Sequence, residues 1–296
     1  MQTLDALQQR IRNAEDLLSV VKTMRTLAAA DIRHYERALI SLAEYDRMVE
    51  MGLQVLLRYQ PVRDAILPQP EVTRGPRLGI VIFGSDQGLC GQFNERISEF
   101  ALDRLNGMHV RRQDRFVLAI GSRVTQRLQL AHQPIEASFA MPTAVKGIAD
   151  AVTALLLRLD AWQTEKAIHW VVLFYNRKTS DAGYETHMDQ LLPLDVARLE
   201  RLRRAPWPSR RLPILLAKWE PLFAAFVRQS MLVALYRAYA HSLASENSSR
   251  LAAMQAAERS IGDHLDEFHM EYRRRRQEAI TSELLDIVGG AEAVRE

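Results

Sequence analysis

The 296-residue sequence has one cysteine, Cys90. No disulfide framework can form within the chain, which fits a reducing compartment. No apolar run is long enough to span a bilayer. The opening residues, MQTLDALQQRIR, lack the apolar stretch and small-residue cleavage site of a secretory signal. These absences describe a soluble protein, or one held at a membrane through partners. Lysine is scarce beside arginine, a bias that suits bidentate carboxylate contacts and that genome base composition explains equally well. The net charge is only +3 and the pI about 9.1, too mild to announce a nucleic-acid binder. There is no Walker loop, no His-Glu-x-x-His, no G-x-S-x-G and no paired cysteines for zinc. No catalytic constellation, cofactor or metal is therefore expected.

Proline and glycine are absent in an informative way. From Gln2 to about Arg58 there is no proline and a single glycine, Gly52. Leu4, Ile11, Leu18 and Ile32 fall on one heptad row, interrupted by Arg25. Leu7, Ala14, Val21, Ala28 and Tyr35 fall on its companion, giving the a/d pattern of a coiled coil. A second segment runs from Pro221, well placed as a first-turn proline, to Val288, with Gly289-Gly290 as the expected stop. Leu232, Leu235, Tyr239 and Leu243, then Leu251, Met254, Ile261, Leu265, Phe268 and Tyr272, repeat at three-to-four spacing. Gly262 is its one interior glycine. The polar stretch Glu246 to Arg250 breaks the rhythm and reads as a stutter. At 1.5 Å per residue, helices of this size reach roughly 85 and 100 Å. A compact globule of the whole chain has a radius of gyration of only about 19 Å. The sequence thus predicts two helices that project from a globular part and pair antiparallel with each other.

The centre, roughly 76 to 215, reads as α/β. LGIVIF (Leu78–Phe83), FVLAIG (Phe116–Gly121) and AIHWVVLFY (Ala167–Tyr175) are buried-type strands. Helical patterns at Asn94–Leu105, Arg123–Leu130 and Val145–Leu157 alternate with them, which implies a mainly parallel sheet covered by helices. YETHMDQLLPL is a candidate edge strand. Pro61, Pro68, Pro70 and Pro76 mark the exit from the first helix, and Pro206, Pro208 and Pro213 the approach to the last. The expected parts are an N-terminal coiled-coil helix (1–65), a Rossmann-like α/β domain (66–215) and a C-terminal coiled-coil helix (216–296).

Several features admit two readings. The glycine-rich turn Gly84–Asn94 follows a strand and opens a helix, as phosphate-binding turns do. It lacks both P-loop and G-x-G-x-x-G spacing, so a structural tight turn is the plainer reading. Cys90 reads as a small buried residue. Arg273–Arg276 is either a solvated helix face or a nucleic-acid contact. His264 and His269 lie about 140° apart around a helix, a poor metal pair. An α/β enzyme with helical arms, and a coiled-coil scaffold or nucleic-acid-binding protein with an α/β domain, are the alternatives these residues leave open.

GSDQGLCGQFN resembles the S-S-D-x-G-L-C-G-x-F-N signature of F-type ATP synthase gamma subunits, on Asp86, Gly88, Leu89, Cys90, Gly91, Phe93 and Asn94. LASENSSRLAAMQAA is similar to that family's L-A-S-E-x-x-x-R-x-x-A-M-x-x-A. RRRRQEAITSELLDIVGGAEAV resembles its N-x-x-R-Q-x-x-I-T-x-E-L-x-E-I-V-x-G-A-x-A, on Arg276, Gln277, Ile280, Thr281, Glu283, Leu284, Ile287, Val288 and Gly290. Trp219-Glu220-Pro221 stands where the family has Tyr-Glu-Pro. Ile11-Arg12, Lys22, Met24 and Leu27–Ala30 also agree. Asn13–Leu18 replaces a basic, threonine-rich stretch, and Asp31 a basic residue. Those departures suggest a divergent branch and leave the coupling ion open between proton and sodium. The extra cysteine pair of chloroplast-type gamma subunits is missing.

The resemblance implies a non-catalytic central-stalk rotor. Its implied partners are the alpha and beta subunits, the epsilon subunit and the membrane c-ring, with no nucleic acid and membrane contact only through those partners. The implied location is the cytoplasmic face of a bacterial inner membrane. Arg276, Gln277 and Thr281 would form a polar catch for a beta-subunit loop. Ile280, Leu284, Ile287 and Val288 would form a bearing tip in an apolar collar, where a non-directional contact suits rotation. Lys22 and Met24 would belong to the shaft, and Glu220 to the c-ring end.

Overall fold

A computed structural model describes residues 4–60, 77–108, 110–179, 183–211 and 213–293, the last eight as backbone alone. The prolines from Pro61 to Pro76, and the boundary expected at 65/66, lie outside these residues. The described elements run α1 (Leu4–Tyr59), β1 (Leu78–Phe83), α2 (Phe93–Gly107), β2 (Arg115–Ile120), α3 (Ser122–Leu130), β3 (Ala137–Phe139), α4 (Val145–Lys166), β4 (Trp170–Lys178), β5 (Tyr184–Leu192), α5 (Val196–Arg204) and α6 (Trp219–Ala293). Residues Ala29–Ser249 form one compact unit, and Met1–Ala28 with Arg250–Glu296 form another.

In the larger unit the strands lie in the order β3-β2-β1-β4-β5. β1 pairs in parallel with β2, Leu78 opposite Arg115, and with β4, Leu78 opposite Trp170. β3 adds in parallel beside β2, and β5 closes the other edge antiparallel to β4. The strands read as unbroken apolar runs because both sheet faces are covered. Val81, Phe83, Leu118, Ile120, Val171 and Leu173 face α4 and α6 through Leu155, Leu159, Leu235 and Tyr239. Ile80, Ile82, Val117, Ala119, Val172 and Phe174 face α2 and α3 through Ile97, Ala101, Val124 and Leu128. Each fully buried Leu, Ile or Phe contributes about 2 kcal/mol.

The expected mainly parallel sheet and long helices are therefore present, with YETHMDQLLPL as the antiparallel edge. Three details differ. β3 has three residues and carries no periodic signal. α4 runs past Leu157 to Lys166 and stops only at Ala167, which takes a left-handed φ of 51°. Gly289 and Gly290 do not end the last helix, which continues to Ala293. Glycine weakens a helix by about 1 kcal/mol per residue, but no proline follows here to force a stop.

Within this unit α1 and α6 run antiparallel. Leu42, Val49 and Leu53 pack with Val233, Phe226 and Tyr236. Tyr45 donates to Gln229 Oε1 at 2.8 Å and the Trp219 indole to the Leu56 carbonyl at 2.9 Å, and Arg237 pairs with Asp46. In the smaller unit the same antiparallel order holds. Arg25 pairs with Glu258 at 2.7 Å, and the Arg10 guanidinium lies 5.5 Å from the Phe268 ring centre. Leu7, Ile11, Val21 and Ala28 are buried there, with Met254 and Leu265. The companion heptad row also outlasts its sequence reading, since Leu42, Val49 and Leu56 continue it and are all buried.

α6 meets the sheet through a polar seam. Phe83 packs edge-on against Tyr239 with centroids 4.9 Å apart. His241 stacks on Tyr175, whose hydroxyl donates to Asp189 Oδ2 at 2.7 Å. Burial holds the His241 imidazole neutral. Arg177, Arg237 and His187 push the same way and Asp189 opposes, so its pKa falls from 6.5 to about 4. The unfolded chain takes up this proton near pH 6.5 and the folded chain does not, so stability is lost as pH falls from about 6.5 towards 4. The loss amounts to about 3 kcal/mol. Melting of the wild type should therefore fall more steeply across that interval than melting of His241→Gln. Parallel curves for the two proteins would remove His241 from the acid response.

Candidate functional site

Two regions hold the residues singled out by sequence. The first is the turn between β1 and α2. Its backbone leaves the strand with Gly84, whose N–H donates to the Ile120 carbonyl at 2.8 Å. Ser85 N–H donates to Asn94 Oδ1 at 3.0 Å, and Asn94 Nδ2 returns a bond to Ser85 Oγ at 2.9 Å. Ser85 Oγ in turn donates to the Gln87 carbonyl at 2.9 Å. Cys90 Sγ lies 3.6 Å from Asn94 Nδ2 and 3.7 Å from the Gln87 carbonyl. Cys90 is thus buried as expected, but inside a hydrogen-bonded knot rather than an apolar one.

Asp86 decides what this turn can do. One carboxylate oxygen accepts from Ser122 N–H at 2.7 Å and the other from Met141 N–H at 2.7 Å. Ser122 is the first residue of α3, so the terminus of that neighbouring helix already holds an anion, the protein's own. Leu89 (φ 59°) and Gly91 (φ 56°) give the turn its left-handed corners. The arrangement is a closed structural corner, with the amides named here satisfied internally.

The turn is also tied to α6. Ser249 Oγ donates to the Cys90 carbonyl at 2.5 Å, and Ser245 Oγ to the Asn176 carbonyl at 3.1 Å. Asn176 Nδ2 reaches the Phe93 carbonyl at 3.4 Å. The two motifs GSDQGLCGQFN and LASENSSR therefore meet, with Asn176 of β4 between them. Residues Ser242 to Ser248 are all buried, so the polar stretch read as a stutter is a buried polar face of an unbroken helix. Ser85, Asn176, Ser245 and Ser249 were missed by sequence reasoning. Asn176 ending the apolar run VVLFY was the one available signal.

The second region is the α6 segment beyond Leu265, where no side chain among the described residues is buried. Arg276, Gln277 and Thr281 are exposed. The Thr281 hydroxyl donates to the Gln277 carbonyl at 2.8 Å, which leaves its oxygen free to accept. Arginine and glutamine side chains donate beside it. Ile280 and Leu284 are about half exposed, at 48% and 57%. Ile287 and Val288 lie where the backbone alone is described. In the arginine run, Arg275 pairs with Glu271 at 2.8 Å and Arg274 lies 3.7 Å from Glu278, so half of the charge is answered locally. Lys22 is exposed and Met24 half-buried on α1, and Glu220 is exposed in the first turn of α6, far along the chain from that tip.

A family model described as ATP synthase matches residues 3–294. The chain belongs to the ATP synthase family. Among its relatives in that family, the ATP synthase gamma chain of a Nostoc species is 28% identical over 99% of this chain and 100% of its own length. That of Nitrosospira multiformis is 25% identical over 97% and 98%. The fold recurs in solved ATP synthase structures. A chain of the Euglena gracilis mitochondrial complex with its OSCP, F1 and c-ring has a TM-score of 0.63 at 16% identity, covering 98% of this chain and 94% of that one. A chain of the Tetrahymena thermophila mitochondrial central stalk and c-ring has 0.56 at 22% identity, covering 80% and 99%. The gamma-subunit resemblance drawn from three short motifs thus extends along the ATP synthase chain as a whole.

The corner makes a stability prediction. A Cβ on Gly121 (φ 103°) would lie 2.7 Å from the Ser85 backbone, so Gly121→Ala adds strain to a clash that no side-chain rotation relieves and should cost about 3 kcal/mol or more. Asp86→Ala, which leaves two amides without their acceptor, should cost about 2 kcal/mol. Thermal melts followed by circular dichroism read both. A Gly121→Ala chain melting like the wild type would show that the corner opens easily.

Proposed function

We propose that this chain is the central-stalk rotor subunit of an F-type ATP synthase, coupling ion-driven rotation of the membrane c-ring to conformational change in the catalytic beta subunits. The observation that carries the reading is the exposed α6 tip. It sets guanidinium, amide and hydroxyl groups beside uncovered aliphatic side chains on a helix of a gamma-type chain. The solved relatives, described as a central stalk with c-ring and as an F1 and c-ring assembly, support it.

On this reading Arg276, Gln277 and Thr281 grip a loop of one beta subunit, and Ile280, Leu284, Ile287 and Val288 turn in an apolar collar. Lys22 and Met24 belong to the shaft on the N-terminal helix, and Glu220 faces the c-ring. The segments 1–65 and 216–296 act as the paired shaft and 66–215 as the α/β body, with epsilon as a further partner. ATP chemistry takes place on the beta subunits and this chain performs none of it. It sits peripherally at the cytoplasmic face of a bacterial inner membrane.

The two-helix unit has no threefold axis, so three identical beta subunits meet three different surfaces. A ligand shifts a conformational equilibrium only through differential affinity for its states. Taking one site from 1:99 to 99:1 requires about 5.5 kcal/mol of such preference. Rotation moves the preference from one site to the next.

Co-expression with alpha and beta subunits tests the reading. ATPase activity should appear only in assemblies that contain this chain. Within such a complex, Gln277→Ala with Thr281→Ala removes two directed hydrogen bonds, about 2 kcal/mol together. Turnover should drop about thirtyfold, with assembly intact on gel filtration. Unaltered turnover and coupling would sink the catch.

A further inference from the structure

Residues 196–218 carry seven arginines and lysines and one acid, Glu200, a local net charge of +6 in a chain whose total is +3. From Arg201 to Trp219 there is no carboxylate at all. Arg204, 76% exposed at the side chain, lies 3.5 Å from Glu200, whereas Arg210, Arg211 and Lys218 are exposed with no ion pair among the described residues. Between these cations stand Ile214 and Leu216, 80% and 95% exposed, the two most exposed large apolar residues among those described. Isolated exposed aliphatics are ordinary. Two of them at nearly full exposure, bracketed by unpaired cations and free of acids, are not.

The segment is held in place rather than loose. The Ala205 carbonyl accepts from Gln54 Nε2 at 2.6 Å and from Arg58 Nη2 at 2.5 Å. The Pro213 carbonyl accepts from the Tyr59 hydroxyl at 3.1 Å. The Trp207 indole donates to the Arg211 carbonyl at 3.0 Å. The end of α1 therefore fixes the backbone by its carbonyls, while the apolar side chains point to water.

We propose that this segment is a direct contact for anionic phospholipid headgroups, with Arg210, Arg211 and Lys218 on the phosphates and Ile214 and Leu216 entering the headgroup–acyl boundary. A basic rim around aliphatic groups, with an indole beside them, is the chemistry of an interfacial anchor. A bilayer accepts two bare aliphatic side chains without a complementary cavity, and each cation near an anionic leaflet adds about fivefold to binding. The proposal adds a lipid contact to the expected membrane association through partner subunits. It stands on the patch itself and not on the rotor reading.

The test uses the purified full chain and sedimentation with vesicles of phosphatidylcholine alone or mixed with phosphatidylglycerol. The wild type should bind the mixed vesicles and not the neutral ones, and release them as salt rises. Arg210→Ala with Arg211→Ala should lower the partition coefficient by about tenfold or more. Ile214→Ser with Leu216→Ser should lower it severalfold with the salt dependence kept. Leu130→Ser, at an exposed leucine elsewhere, should bind as the wild type does, and melting curves establish that each variant is folded. Equal binding to neutral and mixed vesicles, or variants no weaker than Leu130→Ser, overturns the lipid contact. So does a result in which the patch variants lose association with a c-ring while the wild type ignores anionic vesicles, which would give the patch to a protein partner.

Discussion

Every seventh residue of α1 from Leu7 to Leu56 has to be kept from water, and that requirement organises both units. The row comprises Leu7, Ala14, Val21, Ala28, Tyr35, Leu42, Val49 and Leu56, and all but the half-buried Ala14 are buried. A single helix cannot cover its own stripe. In the larger unit the cover is Val233, Phe226 and the core beneath the sheet. In the smaller unit the opposed helix supplies it, with Met254 and Leu265. The polar contacts at these seams are directional, as with Arg25 and Glu258 or Tyr45 and Gln229. They are partly exposed and each contributes only a fraction of a kcal/mol to about 1 kcal/mol. They fix register, and the apolar row supplies the stability.

Small residues then set how closely α6 approaches the sheet. Ala238, Ala240, Ser242, Ala244 and Ser245 are fully buried. Larger side chains at these places would push the helix away from β4. That closeness lets Ser245 and Ser249 reach the carbonyls of Asn176 and Cys90. The conformation of the β1–α2 turn is in this way held by a residue more than 150 positions away in sequence. Asp86 completes the arrangement by filling the helix-terminal anion position from within. A strand-to-helix glycine turn can cradle a phosphate only while its donors are vacant, and here the Ser85 amide is taken by Asn94 and the neighbouring α3 terminus by Asp86.

Much of this was legible because it is periodic. The heptad rows, the three long apolar strands and the helices between them each repeat a local rule many times, so one misread residue does not change the outcome. What escaped is what repeats nothing. β3 spans Ala137–Phe139 and depends on its place beside β2. The extension of α4 to Lys166 follows a stretch, Arg158–Lys166, whose apolar side chains Leu159 and Trp162 are spaced for the core but separated by charges. The burial of Ser242–Ser248 could not be read from composition, because a polar helical stretch usually faces solvent. Ser245 finds its acceptor in the Asn176 carbonyl on β4, a pairing that no single window of sequence contains.

The motifs that carry the family resemblance divide physically into two kinds. Ser85, Cys90, Phe93 and Asn94 of the first motif and Ser245 of the second are buried, and Ser249 and Ser245 tie α6 to the Cys90 and Asn176 carbonyls, so one internal corner accounts for these residue types. Arg276, Gln277, Ile280, Thr281 and Leu284 are exposed, and nothing in their own unit requires those identities. Aliphatics exposed over about half of their full area, next to directed polar groups, cost solubility without adding stability. A chain that keeps both kinds of motif has one set answering to its fold and another that its own fold leaves without a role. This is why a turn that looks like a ligand site in sequence is a structural corner, and why a helix end that looks like an ordinary terminus is the better place to seek function.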